Sequence, residues 1–285
     1  MNHLNTPSAV QPRPSVIVTS TVVVLIALAS TAASLAFAAP PLPAPLQALQ
    51  KKGLSIVGTF PSPGGMTAYA AHAGTEPIAF YLTPDGKHVI AGSLFDATGR
   101  NLTTTALEKV VAQPMADSIW GQLAKSHWIA DGREDAPRTV YVFTDPNCPY
   151  CNKLWADARP WVDAGKVQLR HVMVGILTPT SAGKAAALLG ARQPAAALEA
   201  HERAHVASNA KTLASGRPKP LGDDSLKPLA VIPDALATQL DANAALMATY
   251  GLQATPALVW KDSKGSVQMR QGAPESDLPG IFGPR

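Results

Sequence analysis

The chain has 285 residues, enough for two ordinary domains and too few for three. Lys and Arg together number 24 and Asp and Glu 20, a mildly basic balance with no run of like charge. Nucleic-acid binding calls for a basic stripe, and its absence argues against that partner. With only two cysteines, a disulfide-framework fold is excluded as well.

In chain order, the first 40 residues stand apart. Arg13 is the only Lys, Arg, Asp or Glu before Lys51. After it, SVIVTSTVVVLIALASTAASLAFAAP (Ser15 to Pro40) is apolar and small, and Ala36-Phe37-Ala38 makes an A-x-A exit. This pattern predicts a secretory signal peptide over 1–38, cleaved before Ala39. The alternative is an uncleaved anchor over Val16 to Ala38, nearly long enough to span a bilayer.

Pro43 to Lys52 predicts a short helix with Leu46 and Leu49 inward, stopped by Gly53. Four strand-like runs follow: Leu54–Phe60, Met66–Ala71, Pro77–Leu82 and His88–Phe95. Thr83-Pro84-Asp85-Gly86 joins the last two as a hairpin turn. A unit of about sixty residues without a disulfide is marginal alone. Pairing with a second copy would cover its sheet edge; docking on the rest of its own chain is the alternative. Leu102 to Lys125 is helical in period, with a break expected at Pro114. Trp120 and Trp128 are expected to be packing residues.

RTVYVF (Arg138 to Phe143) predicts a strand, and Thr144-Asp145-Pro146-Asn147 a turn. Helical period then begins, with Cys151, Leu154, Trp155, Ala158 and Val162 on one stripe. Both cysteines, Cys148 and Cys151, lie at this helix start in C-P-Y-C. As a staple, a four-residue loop contributes only about 2 kcal/mol against about 4.7 for a hundred-residue loop. As a redox couple the spacing suits, because the second thiol always reaches a mixed disulfide formed on the first. Cys148 falls at the helix N-terminus, where unpaired N–H groups and the dipole favour an anion, and is expected as an exposed nucleophile. Cys151, one turn in and buried, is the expected resolving thiol. Asp145 opposes thiolate formation if its side chain turns toward Cys148. Pro149 and Tyr150 should set the poise of the pair. A c-type haem site needs His where Asn152 stands, and a zinc site needs four ligands. His201 and His205, one helical turn apart, are read as a solvated helix face. No metal and no organic cofactor are expected.

Val167 to Val174 predicts another strand. From Thr180 to Tyr250 come Ala-rich helical stretches around NAKTLASGRPKPLGDDSLKPLAVIPDA, read as loop. Thr255-Pro256 then opens a strand at Ala257 to Trp260, and Ser266 to Arg270 returns as a second. From sequence alone an X–Pro bond is expected to be trans.

Strand, C-P-Y-C, helix, strand, helices, then T-P before a hairpin and a last helix resembles the thioredoxin fold. GGM (Gly64 to Met66), YLTPDGKH (Tyr81 to His88), SHWIADG (Ser126 to Gly132), DAPRTVYVFTDPNCPYC and ARPWVDAGKVQLR resemble the DsbC/DsbG family of periplasmic thiol:disulfide interchange proteins. The resemblance implies an α+β / α/β protein. A small N-terminal α+β dimerisation domain (39–101) and a linker helix (102–128) would precede a C-terminal thioredoxin fold (129–285) carrying a helical insertion at about 180–250. It implies a V-shaped homodimer in the periplasm, a cis Thr255–Pro256 bond, and Thr255 and Pro256 against bound substrate. It also implies a membrane reductase of DsbD type that keeps the pair reduced. Its clients would be exported proteins with disulfides or single oxidised cysteines; the dithiol would isomerise or reduce the former and reduce sulfenic acids on the latter. Two other readings are a dimeric holdase with incidental cysteines, and a DsbA-type dithiol oxidase, against which the extra N-terminal domain argues.

Overall fold

Two sheets organise the residues that the computed structural model describes, 41–285 apart from Thr75. The leader expected over 1–38 lies outside the described residues. Among those described, no helix is long and apolar enough to cross a membrane.

The first sheet is an antiparallel meander. Helix α1 (Ala44–Gln50) buries Leu46 against it. Strands β1 (Ser55–Phe60), β2 (Thr67–Ala73), β3 (Glu76–Leu82) and β4 (Val89–Ala91) pair in sequence order. Successive side chains of a strand point to opposite faces, and the small core divides accordingly. Ala68, Ala70, Ala79 and Tyr81 pack toward Val111, while Ala71 and Phe80 pack toward Leu46. The turn after β3 closes as expected, Gly86 N donating to Thr83 O at 2.9 Å with Gly86 at φ 70°. β4 is shorter than the His88–Phe95 run because Gly92, at φ 150°, turns the chain out of the ladder.

The next stretch corrects one expectation. Pro114 does not break the helix. α2 (Thr103–Leu107) runs through a π turn (Glu108–Ala112) into α3 (Gln113–Lys125). Gln113 N bonds Glu108 O five residues back, so the four-residue ladder is already interrupted where Pro114 enters, and its missing N–H costs little. The helix stops at Lys125. Ser126 is extended and Trp128 already belongs to a strand.

The second sheet contains β5 (Trp128–Asp131), β6 (Arg138–Thr144), β7 (Val167–Met173), β8 (Ala257–Lys261) and β9 (Val267–Gln271), in the order β5-β7-β6-β8-β9. Only β6 and β7 are parallel, and α4 (Pro149–Val162) makes the crossover between them. Both faces of β6 are covered, which is why VYVF reads as a continuous apolar run. Val140 and Val142 meet Leu154, Ala158 and Trp161 of α4 and Ile281 of α8 (Leu278–Phe282). Tyr141 and Phe143 meet Ile119 and Leu123 of α3. Trp120 packs edge to face on Tyr141 at 5.1 Å, and Trp128 packs beneath the Arg170 guanidinium at 4.4 Å.

Between β7 and β8 lie α5 (Ser181–Leu189), α6 (Pro194–Ala214) and α7 (Asp234–Thr249). α6 extends to Ala214, into the stretch expected to be loop, and the irregular segment is 215–233. Asn243 of α7 is fully buried and ties three strand-side groups together. Its Oδ1 accepts from His127 N, and its Nδ2 donates to His127 O and Met173 O, all at 2.8–3.1 Å. Asn243→Ala strands those groups away from water and should cost about 2 kcal/mol, read as a lower urea midpoint with thiol reactivity retained.

Candidate active site

The site grows out of the end of β6. The turn after it closes with Cys148 N donating to Asp145 O at 3.0 Å. Cys148 is extended (φ −80°, ψ 116°) and caps α4, its Sγ accepting from Cys151 N at 3.3 Å. Pro149 takes the first helical position, where a missing N–H costs nothing. From the far side of the sequence comes the Thr255–Pro256 peptide, which is cis. The Cys148 thiol donates to Thr255 O at 3.3 Å. Thus Cys148, Cys151 and Thr255 are brought together with Pro149 and Pro256 beside them, while Tyr150 stands half exposed on the outside. Both thiols are free.

The two sulfurs differ as helix-end chemistry requires. Hydrogen bonding from the Cys151 thiol, then from Thr255 and the Cys151 and Tyr150 N–H groups, outweighs burial and lowers Cys148 to about 7. About half of it is then thiolate at neutral pH, against a few per cent for a free cysteine. Burial, and then the hydrogen bond and charge shared with Cys148, push Cys151 well above its ordinary value. One expectation needs correcting: Cys148 is not exposed. Only 2% of it is accessible, and it lies in the lining of a groove of about 430 Å3. Tyr150, Ile176, Leu177, Pro218 and Pro220 give that groove apolar walls, and Lys219 is its only charged residue. Asp145 does not face the sulfur. Its Oδ1 accepts from Asn147 N and Ser181 Oγ, and its Oδ2 from Ile176 N and Leu177 N, all at 2.8–2.9 Å.

The histidine pair also departs from expectation. His201 and His205 are buried, because the face of α6 that carries them packs onto the cysteine turn. His201 Nε2 lies 2.7 Å from Pro146 O and must be the donor there, so its Nδ1 accepts from Ser225 Oγ at 2.9 Å. Ser225 Oγ in turn accepts from His205 Nε2 at 2.9 Å. Burial is the main cause that holds His201 at about 4 and lowers His205.

Lys184, fully buried, completes the same junction. Its Nζ donates to Asn147 Oδ1 at 2.7 Å and Gly222 O at 2.6 Å, with Asp223 Oδ1 at 2.8 Å. Leu221 N donates to Asn147 O at 3.0 Å. The irregular segment is thereby fixed beside Cys148. Sequence reading missed Lys184 and also Glu202, which is buried against Asn152. The one available signal was that Ser181, Lys184, Ala185 and Leu188 share a helical face.

Known proteins carry the same plan. Residues 129–277 match the thioredoxin-like domain family, and residues 36–104 match the disulfide bond isomerase protein N-terminal domain. The thiol:disulfide interchange protein DsbG of Pseudomonas aeruginosa is 50% identical over 254 residues, covering 89% of this chain and 93% of that protein. DsbG of Escherichia coli is 39% identical over 241 residues, covering 85% and 91%. DsbC of Salmonella typhimurium is 28% identical over 116 residues, covering 40% and 44%. Similarity of that extent and level settles the family: the chain belongs to the DsbG thiol:disulfide interchange proteins, thioredoxin-like enzymes of disulfide exchange.

Proposed function

We propose that Cys148 is the attacking nucleophile of a periplasmic reductase and isomerase, and Cys151 its resolving thiol. The Cys148 thiolate attacks one sulfur of a substrate disulfide, and the other sulfur leaves as a thiolate. With a cysteine sulfenic acid, the same attack releases hydroxide. Either way a mixed disulfide forms on Cys148. Cys151 then closes the Cys148–Cys151 disulfide and frees the substrate thiol, or the substrate's own second thiol attacks and the substrate is isomerised. Reduction of sulfenic acids keeps single cysteines off the irreversible oxidation ladder. Pro149 and Tyr150 tune the poise of the pair, while Thr255 and Pro256 hold the substrate segment that enters the groove. No metal or organic cofactor takes part.

A leader over 1–38 directs export, and 39–101 forms the dimerisation domain of a homodimer. The linker helix runs from Thr103 to Lys125, short of the expected 128, and the catalytic domain opens with β5 at Trp128 and continues to 285, with its insertion at about 180–250. In favour of pairing, Val57 and Ile90 stand exposed on β1 and β4, the two edge strands of the meander. A membrane reductase of DsbD type returns the pair to the dithiol. The observation that carries the reading is geometric: Cys148 Sγ caps α4, accepting from Cys151 N at 3.3 Å beside Thr255 O and the cis Thr255–Pro256 peptide, while Cys151 lies buried one turn in. Thiolate absorbance at 240 nm tests it. The reduced protein should show one ionisation midpoint near pH 7 that Cys148→Ala removes. A midpoint at the free-cysteine value of about 8.5 would sink the assignment.

A further inference from the structure

Helix α6 of the insertion brings a carboxylate beneath the cysteine turn. Glu202 is 1% exposed. Its Oε2 accepts a single bond, from Asn152 Nδ2 at 2.8 Å, and the same amide donates to the Glu202 carbonyl at 2.7 Å. Its Oε1 has no partner. Asn152 directly follows Cys151. Asn209, two turns further along α6, donates to Asn152 Oδ1 at 3.0 Å and to Pro149 O at 2.7 Å. The first turn of α4, with both sulfurs, is therefore bound to α6 on the side where this carboxylate lies. The charged and titratable groups that bear on Glu202 are Cys148, Cys151 and Arg159 of α4 and Asp131 of β5. Arg159 and His171 already engage Asp131. Among the described residues of this cluster, Glu202 is the carboxylate that keeps an unpartnered oxygen; the Asn209 amide oxygen is unpartnered too but takes up no proton at these pH values.

A buried carboxylate with one hydrogen bond is costly as an anion. It takes up a proton readily, and the unused oxygen is the place for one. We infer that Glu202 receives the Cys151 proton when Cys151 attacks the mixed disulfide, and that loss of the Cys148 charge readies it to do so. The inference rests on the roles given above to the two cysteines. In the reduced protein, burial and then the nearby Cys148 thiolate hold Glu202 up at about 8, so at neutral pH it is mostly a carboxylic acid. Formation of the mixed disulfide makes Cys148 neutral. That repulsion ends, Glu202 gives up its own proton to water more readily, and the carboxylate so formed is the acceptor when Cys151 must lose its proton. In the step that follows, the bond between Cys148 and the substrate sulfur breaks, and the Cys148–Cys151 bond forms. The substrate sulfur leaves with the electron pair, and the Cys151 proton passes to Glu202. The two cysteines are oxidised by two electrons and the substrate sulfur is reduced by two, with no further reagent.

The reaction of the full-length reduced protein with 5,5′-dithiobis(2-nitrobenzoate) separates the stages. The first equivalent of thionitrobenzoate reports attack by Cys148, and the second reports resolution by Cys151. Glu202→Gln keeps the shape and an acceptor for Asn152. At pH 7 it should leave the first phase within about threefold and slow the second about a hundredfold, the usual scale of a lost general base. The deficit should shrink as pH rises and Cys151 ionises unaided. Glu202→Asp, which keeps the acid, should recover most of the rate. A second phase with the same rate and pH profile in E202Q as in the parent overturns the inference. Equal loss in E202Q and E202D, or loss of the first phase in both, makes Glu202 a packing residue and overturns it too. A parent protein without a first phase would instead refute the role of Cys148.

Discussion

Cys148→Ala should abolish thiol–disulfide exchange, whereas Cys151→Ala should react once and stall. The asymmetry follows from which sulfur is ionised. Cys148 sits at the helix start with N–H groups turned toward it and lies at about 7, while burial keeps Cys151 protonated at the same pH. Only the thiolate attacks, so without Cys148 the remaining thiol is both shielded and unreactive. Without Cys151 the first attack proceeds, and the product persists until another thiol arrives. Insulin reduction, followed as turbidity with a thiol donor, should fall to background in Cys148→Ala and be slowed in Cys151→Ala to the rate at which the donor resolves the mixed disulfide. Refolding of a scrambled multi-disulfide substrate should survive in part in Cys151→Ala, since that substrate can supply its own resolving thiol. Exported proteins trapped on Cys151→Ala then identify clients. Single-cysteine proteins point to reduction of sulfenic acids, and multi-disulfide proteins to isomerisation. Exchange that persists in Cys148→Ala would assign the attack to Cys151 and reverse the roles. A Cys148→Ala protein that suppresses aggregation as fully as the parent would make binding the main activity.

How much of this was legible in the sequence depends on range. The strand–turn–helix that carries the cysteines is local. VYVF, the turn residues and the stripe from Cys151 to Val162 each signal one element, and all three form as read. The walls over Cys148 are not local. Pro218 and Pro220 belong to a segment without periodicity, and its position is set by Leu221 and Lys184 reaching Asn147. α6 misleads for another reason. Its buried face carries His201, Glu202, His205 and Asn209, which read as solvent-facing in any hydrophobicity pattern. Polar residues go inside only when their partners are supplied, and here those partners are Pro146, Asn152 and Ser225, none of them near in sequence. The π turn before Pro114 was invisible for a related reason. A shift of one residue in the helical ladder leaves little trace in a periodic pattern.

The same junction makes Lys184 the residue whose loss should damage the fold most. An ammonium with no exposure is stable only because Asn147 Oδ1, Leu221 O, Gly222 O and the Asp223 carboxylate surround it. Lys184→Met keeps most of the stem and removes the charge, leaving buried acceptors without a donor. Breaking a buried, hydrogen-bonded ion pair from one side costs about 3–5 kcal/mol. The low end applies here, because the Asp223 side chain is 43% exposed and can turn to water. The loss should appear as a lower urea midpoint with an unchanged slope. Proteolysis should show it too, with cleavage within 215–225 accelerating ahead of global unfolding, since that segment is fixed through Lys184 and Leu221. Lys184→Arg should not rescue it: the planar fork is larger than the pocket that Asn147 and Gly222 close around one nitrogen. If Lys184→Met unfolds within about 1 kcal/mol of the parent and 215–225 resists protease as before, the insertion is held by its apolar packing alone. The wall over Cys148 would then owe nothing to the buried ammonium.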